Sequence, residues 1–318
     1  MKKLFILCII LFMVGCVEKS SDSNMSIDTT TESMTDSMNV SEDRPTNPPR
    51  SSGIQGLKSL YMGHSYFRRQ AEAMDEYAEV AGIVDHESQS FFRGGYNGSA
   101  FAIWDNPDSQ ATIKGYLDEG DIEMFGMTIF VDLEVSEDDG AHPNNQIQGL
   151  KNWIEYALSK NPNTRFFIGL PWLGGPLDYI GETGDPQTSG YMEYSEAILG
   201  SETAVKLLID ELRETFADSE IFLIAYGQGS LELRTLYNMG NLPDVDSLVS
   251  SNGLLGIHSD EHGHAEQMLT DLNTLVWLQS IYNYDVLEFT KEYPYTIDIK
   301  SIAHDVATRQ DPAYTRQF

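Results

Sequence analysis

Short apolar runs alternate with amphipathic stretches along most of this chain, and that alternation is the feature that most restricts its fold. Leu57 to Gly63 is a brief apolar strand, and Phe67 to Ala81 follows it with helical spacing that puts Met74, Tyr77, Ala78 and Ala81 on one face. Further strands are expected at Ser88 to Phe92, Glu123 to Val131, Arg165 to Leu170 and Glu220 to Tyr226. Between and after them, Gln146 to Ser159, Glu202 to Phe216 and His264 to Tyr282 have the periodicity of helices. Strands that are apolar throughout must be covered on both faces, so the pattern predicts βαβ units and a parallel sheet between two helical layers. The expected architecture is a three-layer α/β/α sandwich, with a flavodoxin-like parallel sheet of about five strands. No internal repeat is visible, and the stretch from Asp285 to Phe318, which lacks helical rhythm, is expected to wrap the domain as a tail.

In such a fold, function gathers beyond the carboxyl ends of the strands. The first strand ends in Gly63-His64-Ser65-Tyr66-Phe67, which puts a serine hydroxyl on a tight turn at a helix N-terminus. Free N–H groups and the positive end of the helix dipole there suit an oxyanion. Ser65 could equally serve as a helix cap. Before the last long helix lies Gly256-Ile257-His258-Ser259-Asp260-Glu261-His262-Gly263-His264, a loop able to return to the end of the first strand.

Together these two blocks resemble the first and last signature blocks of the SGNH/GDSL hydrolase superfamily. In that family the nucleophile sits in a Gly-Asp-Ser or Gly-x-Ser turn, and the catalytic histidine precedes a Pro-Ser-x-x-Gly-His run that opens the last helix. The resemblance implies a serine esterase or acyl hydrolase with Ser65 as nucleophile and His258 as base, Gly263 matching the family's glycine and His264 its small-or-histidine position. Ser259 and Asp260 stand where Pro-Ser is usual. The segment Arg93-Gly94-Gly95-Tyr96-Asn97-Gly98-Ser99 resembles the glycine block, which implies that Gly95 joins Ser65 in the oxyanion hole, with Gly94 and Gly98 as neighbours in register; an ordinary turn is the other reading. The Gly-x-Asn-Asp block has no counterpart, and Thr128, Asp132, Asn144 and Asn145 could each supply a donor or acceptor in its place. Three residues before His258, where the family carries aspartate, stands Leu255; Asp246, Asp260 and Glu261 are near in sequence, the last two expected as solvated charges that open the helix.

Two other readings stay open. His258, His262 and His264 with Asp260 or Glu261 could hold a metal, since histidines four apart share a helical face. Alternatively, a domain with an incomplete triad could bind a ligand without catalysis. Trp104, Trp153 and Trp172 are candidates for a sugar-binding surface or for the core. Gly227-Gln228-Gly229-Ser230 lacks the Gly-Lys-Ser/Thr ending of a phosphate loop and reads as a strand-to-helix turn. His86, His142 and His304 are isolated in sequence and are expected to be structural or exposed.

The remaining expectations concern location and partners. Lys2 and Lys3 precede an apolar stretch from Leu4 to Val14, too short for the ~20 residues of a membrane span and fitting for a signal peptide. Met13-Val14-Gly15-Cys16 resembles the bacterial lipoprotein signal, which implies cleavage before Cys16, lipidation of its sulfur and anchoring in the cell envelope; a secretory signal cut elsewhere is the alternative. Residues 1–16 are thus expected as signal, 17–53 as a disordered tether rich in Ser, Thr, Asp and Pro, and 54–318 as the folded domain. Cys8 and Cys16 are the only cysteines, so the domain holds no thiol. With 49 acidic against 20 basic residues and a formal charge of -29, nucleic acid is not an expected partner, and membrane contact falls to the lipid anchor alone. The expected partner is a small-molecule or carbohydrate ester, with no cofactor.

Overall fold

A computed structural model describes residues 53–130, 143–177 and 191–318, all within one compact unit. The signal stretch, Cys16 and nearly all of the expected tether lie outside the described residues, as do Asp132 and His142. Five strands, β1 (Lys58–Gly63), β2 (Glu87–Phe92), β3 (Met124–Thr128), β4 (Arg165–Gly169) and β5 (Ile221–Ile224), form one sheet in the order β2-β1-β3-β4-β5. Every pair in it is parallel. This is the flavodoxin-like order expected from the alternation, and its direction of winding reverses between β1 and β3. At that reversal the crossovers leave β1 and β3 toward opposite faces, opening a crevice at their carboxyl ends.

Helices α1 (Ser65–Val80), α2 (Ala100–Asp105), α3 (Pro107–Leu117), α4 (Pro143–Lys160), α5 (Tyr191–Thr215), α6 (Gln228–Asn238), α7 (Gln267–Tyr282) and α8 (Ile299–Thr308) flank the sheet. The core divides accordingly. One cluster packs Phe67, Met74 and Tyr77 of α1 with Leu272, Val276 and Trp277 of α7 on one face; the other packs Leu60, Phe125, Trp153 and Ile209 on the opposite face. Helix α7 is buried nearly all round, as its apolar composition requires. None of the described helices is long and apolar enough to cross a membrane.

Several elements were not anticipated. Helices α2 and α3 are held by local caps: the Ser99 side chain accepts from Ala102 N–H, and the Asn106 side chain accepts from Ser109 N–H ahead of Pro107 at the first turn. The tail from Asp285 contains α8, capped by Asp298 and buried through Ile299, Ala303 and Val306. Beyond α8 the chain covers the edge of the sheet, where Leu223 N–H donates to Tyr314 O at 2.8 Å and Ala225 N–H to the Gln310 side chain at 3.0 Å. The glycine-rich turn after β5 leads into α6, as expected. A short parallel pair, β6 (Ser247–Val249) with β7 (Gly256–His258), carries the chain to the loop before α7.

Candidate active site

The geometry begins with Gly63. A Cβ there would lie 2.3 Å from Thr128 Cγ2, so only glycine lets the end of β1 pass this close to β3. The chain then turns into α1 with His64 as N-cap in extended conformation, its Nδ1 accepting from Tyr66 N–H at 3.3 Å. That bond leaves Nε2 as the protonated nitrogen, which donates to Ile129 O at 3.1 Å. His64 is only 2% exposed, and burial pulls its pKa down to about 4, so it remains a neutral cap. Ser65 is the first residue of the helix, half-buried, at the positive end of the dipole.

The imidazole facing Ser65 is that of His264, not His258. Ser65 Oγ lies 2.7 Å from His264 Nε2, and His264 Nδ1 lies 2.6 Å from Asp260 Oδ2. Because the carboxylate accepts, Nδ1 carries the proton and Nε2 presents its lone pair to the serine hydroxyl. Oδ1 of Asp260 also accepts N–H groups from Gly263 at 3.1 Å and His264 at 3.2 Å. Partial burial alone would raise the Asp260 carboxyl; the bonds from His264 and Gly263 outweigh it and hold the group below its ordinary range. Asp260, expected as a solvated charge, is thus engaged by the histidine ring and the backbone of its own turn. Leu255 is 60% exposed and belongs to the approach to His258, not to the turn that brings His264 to Ser65.

His258 is fully buried on β7, with Nδ1 3.0 Å from Gly263 O. Since a carbonyl only accepts, Nδ1 is the protonated nitrogen there, and burial lowers the pKa to about 4. The misplacement has a simple geometric cause. After β7 the chain doubles back, Ala265 bridging antiparallel to His258, and a positive φ of 94° at Gly263 returns His264 to the crevice. The available signal was Asp260 four residues before His264 in a turn closed by glycine.

Other candidates are distributed as follows. Gly95 opens a 3-10 turn (Gly95–Gly98), exposed and with φ of 52°. Gly98 is the glycine pressed against the site: a Cβ on it would stand 2.7 Å from both Cα and Cβ of His64. Thr128 is buried and donates to Gly169 O at 3.1 Å, which ties it to the sheet. Trp153 and Trp172 are fully buried and belong to the interior, while Trp104 is half-buried and packs edge-on against Trp153 at 4.8 Å. His258, His262 and His264 do not converge; among the described residues no group of three or more His, Cys, Asp or Glu is arranged to hold a metal ion. His86 is packed among Leu57 O, Tyr282 and Asp75, and His304 stands beside Asp285.

No family model matches the sequence, and no curated protein matches it. Among solved structures, a DUF4886 family protein from Bacteroides uniformis is similar with a TM-score of 0.52 and 13% identity, over 80% of this chain and 95% of that one. A carbohydrate esterase family 3 protein from Talaromyces cellulolyticus has a TM-score of 0.39 and 10% identity, over 69% and 92%. A GDSL-like lipase from Parabacteroides merdae has a TM-score of 0.40 and 12% identity, over 73% and 98%. The α/β fold is therefore one that this chain shares with a DUF4886 family protein.

Proposed function

We propose that this protein is a serine-dependent acyl-ester hydrolase in which Ser65 is the nucleophile, His264 the general base and Asp260 the residue that fixes the imidazole. The reading is carried by the unbroken chain of hydrogen bonds from Ser65 Oγ through His264 to Asp260. Ser65 Oγ attacks the ester carbonyl carbon while its proton passes to His264 Nε2. The carbonyl oxygen becomes an oxyanion, for which the N–H of Ser65, at the head of α1, and that of Gly95 are the proposed donors. As the tetrahedral species collapses, the C–O bond to the alcohol breaks and the alcohol leaves with the proton from Nε2. Water then attacks the acyl-serine with the same base, releasing the acid and restoring Ser65. Asp260 stabilises the imidazolium in both half-reactions, and no cofactor enters.

A formal charge of -29 favours neutral esters, such as acetylated sugars, over polyanions. The same proposal places the domain on the cell envelope through lipid at Cys16; Cys16→Ser in a bacterial host would then release the protein from the membrane fraction.

The test is hydrolysis of p-nitrophenyl acetate by the purified protein, with fluorophosphonate labelling followed by peptide mapping. Label on Ser65, and a loss of at least about 10³ in kcat for Ser65→Ala and for His264→Ala, are the expected results. Unchanged turnover in these variants, or label confined to another residue, would overturn the reading.

A further inference from the structure

The loop that carries His264 is held more tightly than its surface position demands. Three consecutive carbonyls in it each accept two hydrogen bonds. His262 O accepts from the Tyr66 hydroxyl and from Gly175 N–H at 3.1 Å. Gly263 O accepts from Trp172 Nε1–H at 2.7 Å and from His258 Nδ1–H at 3.0 Å. His264 O accepts from Ser259 N–H at 2.7 Å and from the Ser259 hydroxyl at 3.2 Å. The donors come from the helix that bears Ser65, the segment after β4, and the end of β7 with the residue that follows it.

The donors on Gly263 O differ from the rest. Trp172 and His258 are both completely buried, their rings 6.2 Å apart, and each spends its one ring N–H on the same carbonyl. The Trp172 ring also stacks on Tyr66 at 5.1 Å, while Tyr66 lies edge-on to His264 at 5.3 Å. Burial, with the Asp260 charge second, pushes the Tyr66 phenol up to about 12, so it remains a donor across the neutral range. Gly263 has the left-handed φ of the turn, and its peptide carbonyl is bonded to the nitrogen of His264. Fixing that carbonyl therefore fixes the plane from which the His264 side chain departs.

We infer that Trp172 and His258 are positioning residues: acting together on the Gly263 carbonyl, they hold the His264 imidazole at bonding distance from Ser65. The inference rests on the hydrolase reading for its kinetic consequence only. A displacement of about 1 Å between reacting groups costs on the order of 10²-fold in rate, so losing one of two shared donors is expected to cost about tenfold.

The experiment uses the full-length protein and two separate measurements. One is steady-state hydrolysis of p-nitrophenyl acetate; the other is the His264 ring signal in histidine-labelled NMR spectra, assigned by its loss in His264→Ala. Trp172→Phe retains an aromatic ring and removes the N–H. It is expected to lower kcat about tenfold with KM within twofold, and to broaden or shift the His264 signal. His258→Phe is expected to behave likewise, whereas His258→Asn, whose amide puts an N–H near the place of Nδ1, is expected to recover kcat to within about threefold of wild type. An active wild type with Trp172→Phe unchanged in both kcat and the His264 signal would overturn the inference and leave the hydrolase reading intact. A wild type inactive on esters would overturn the hydrolase reading instead, and the NMR arm alone would then decide the inference. Should His258→Phe fail to fold, Trp172→Phe decides.

Discussion

Asp260→Asn is the substitution whose outcome follows most directly from the geometry. Its carboxylate divides its work, Oδ1 accepting two backbone N–H groups and Oδ2 accepting the His264 ring. In an asparagine, the backbone donors demand an acceptor and draw the amide oxygen to the Oδ1 place. The NH₂ group is then turned toward His264 Nδ1, which must become the unprotonated nitrogen. Nε2 consequently holds the proton and faces Ser65 as a donor, with no lone pair to accept the serine proton. The analogous substitution in the serine protease template lowers kcat by about 10⁴. Here the Asp260 side chain is 43% exposed, and water can relieve part of the misorientation, so a loss of about 10³, or roughly 4 kcal/mol in the barrier, is expected. Asparagine should be no better than alanine, although it is nearly isosteric with aspartate. The assay is kcat on p-nitrophenyl acetate at pH 8, with near-UV circular dichroism to confirm the fold. Activity of Asp260→Asn within tenfold of wild type, or far above that of Asp260→Ala, would refute the tautomer reasoning.

Three further outcomes are expected. Both His64 and His258 have folded pKa values near 4, depressed by burial, against about 6.5 in an unfolded chain; the unfolded state binds more protons between these values, so stability falls as pH drops through that window, by about 2 kcal/mol per histidine from pH 8 to pH 5. Urea midpoints that stay level over that range would contradict it. Asp271 is buried and accepts from Tyr77 at 2.6 Å, Tyr295 at 2.6 Å and the exposed Gln267 at 2.9 Å, so Asp271→Ala leaves the two tyrosine hydroxyls without their acceptor and is expected to cost about 3 kcal/mol, read as a fall of roughly 6 to 10 °C in Tm. Gly98→Ala would place a methyl 2.6 Å from Arg93 O and 2.7 Å from His64; loss of about 1 to 3 kcal/mol in stability together with lower kcat is expected, and a variant as stable and active as wild type would show that the contact yields freely.

What could be read from the sequence divides along physical lines. Helix α1 was visible because burial of one face imposes a helical period on its residues, α7 because an apolar run that long is a helix and not a strand, and β1, β3, β4 and β5 because strands buried almost throughout read as short unbroken apolar runs. Short α2 and α3 owe their existence to caps and to packing against α4, through bonds such as Trp153 Nε1–H to Ala100 O at 2.9 Å, and a six-residue helix has no period to reveal. The place of Ser65 was legible because a serine at a strand-to-helix junction is a local matter. The histidine was not, because two imidazoles lie six residues apart and the selection between them is made by a reversal of the chain. At Gly263 that reversal turns His258 into a donor for the interior and His264 into the partner of the serine.

The serine and its histidine come from opposite ends of the folded domain, 199 residues apart in sequence, and meet only where the first strand of the sheet and the last long helix have both taken their places. Nearly every intervening element must be ordered before the two atoms can come within 2.7 Å. Closing so long a loop is slow compared with forming local helices, so the site is among the last features to assemble. On the proposed hydrolase function, a nascent or partly folded chain would be chemically inert, and turnover would serve as an assay of completed tertiary structure.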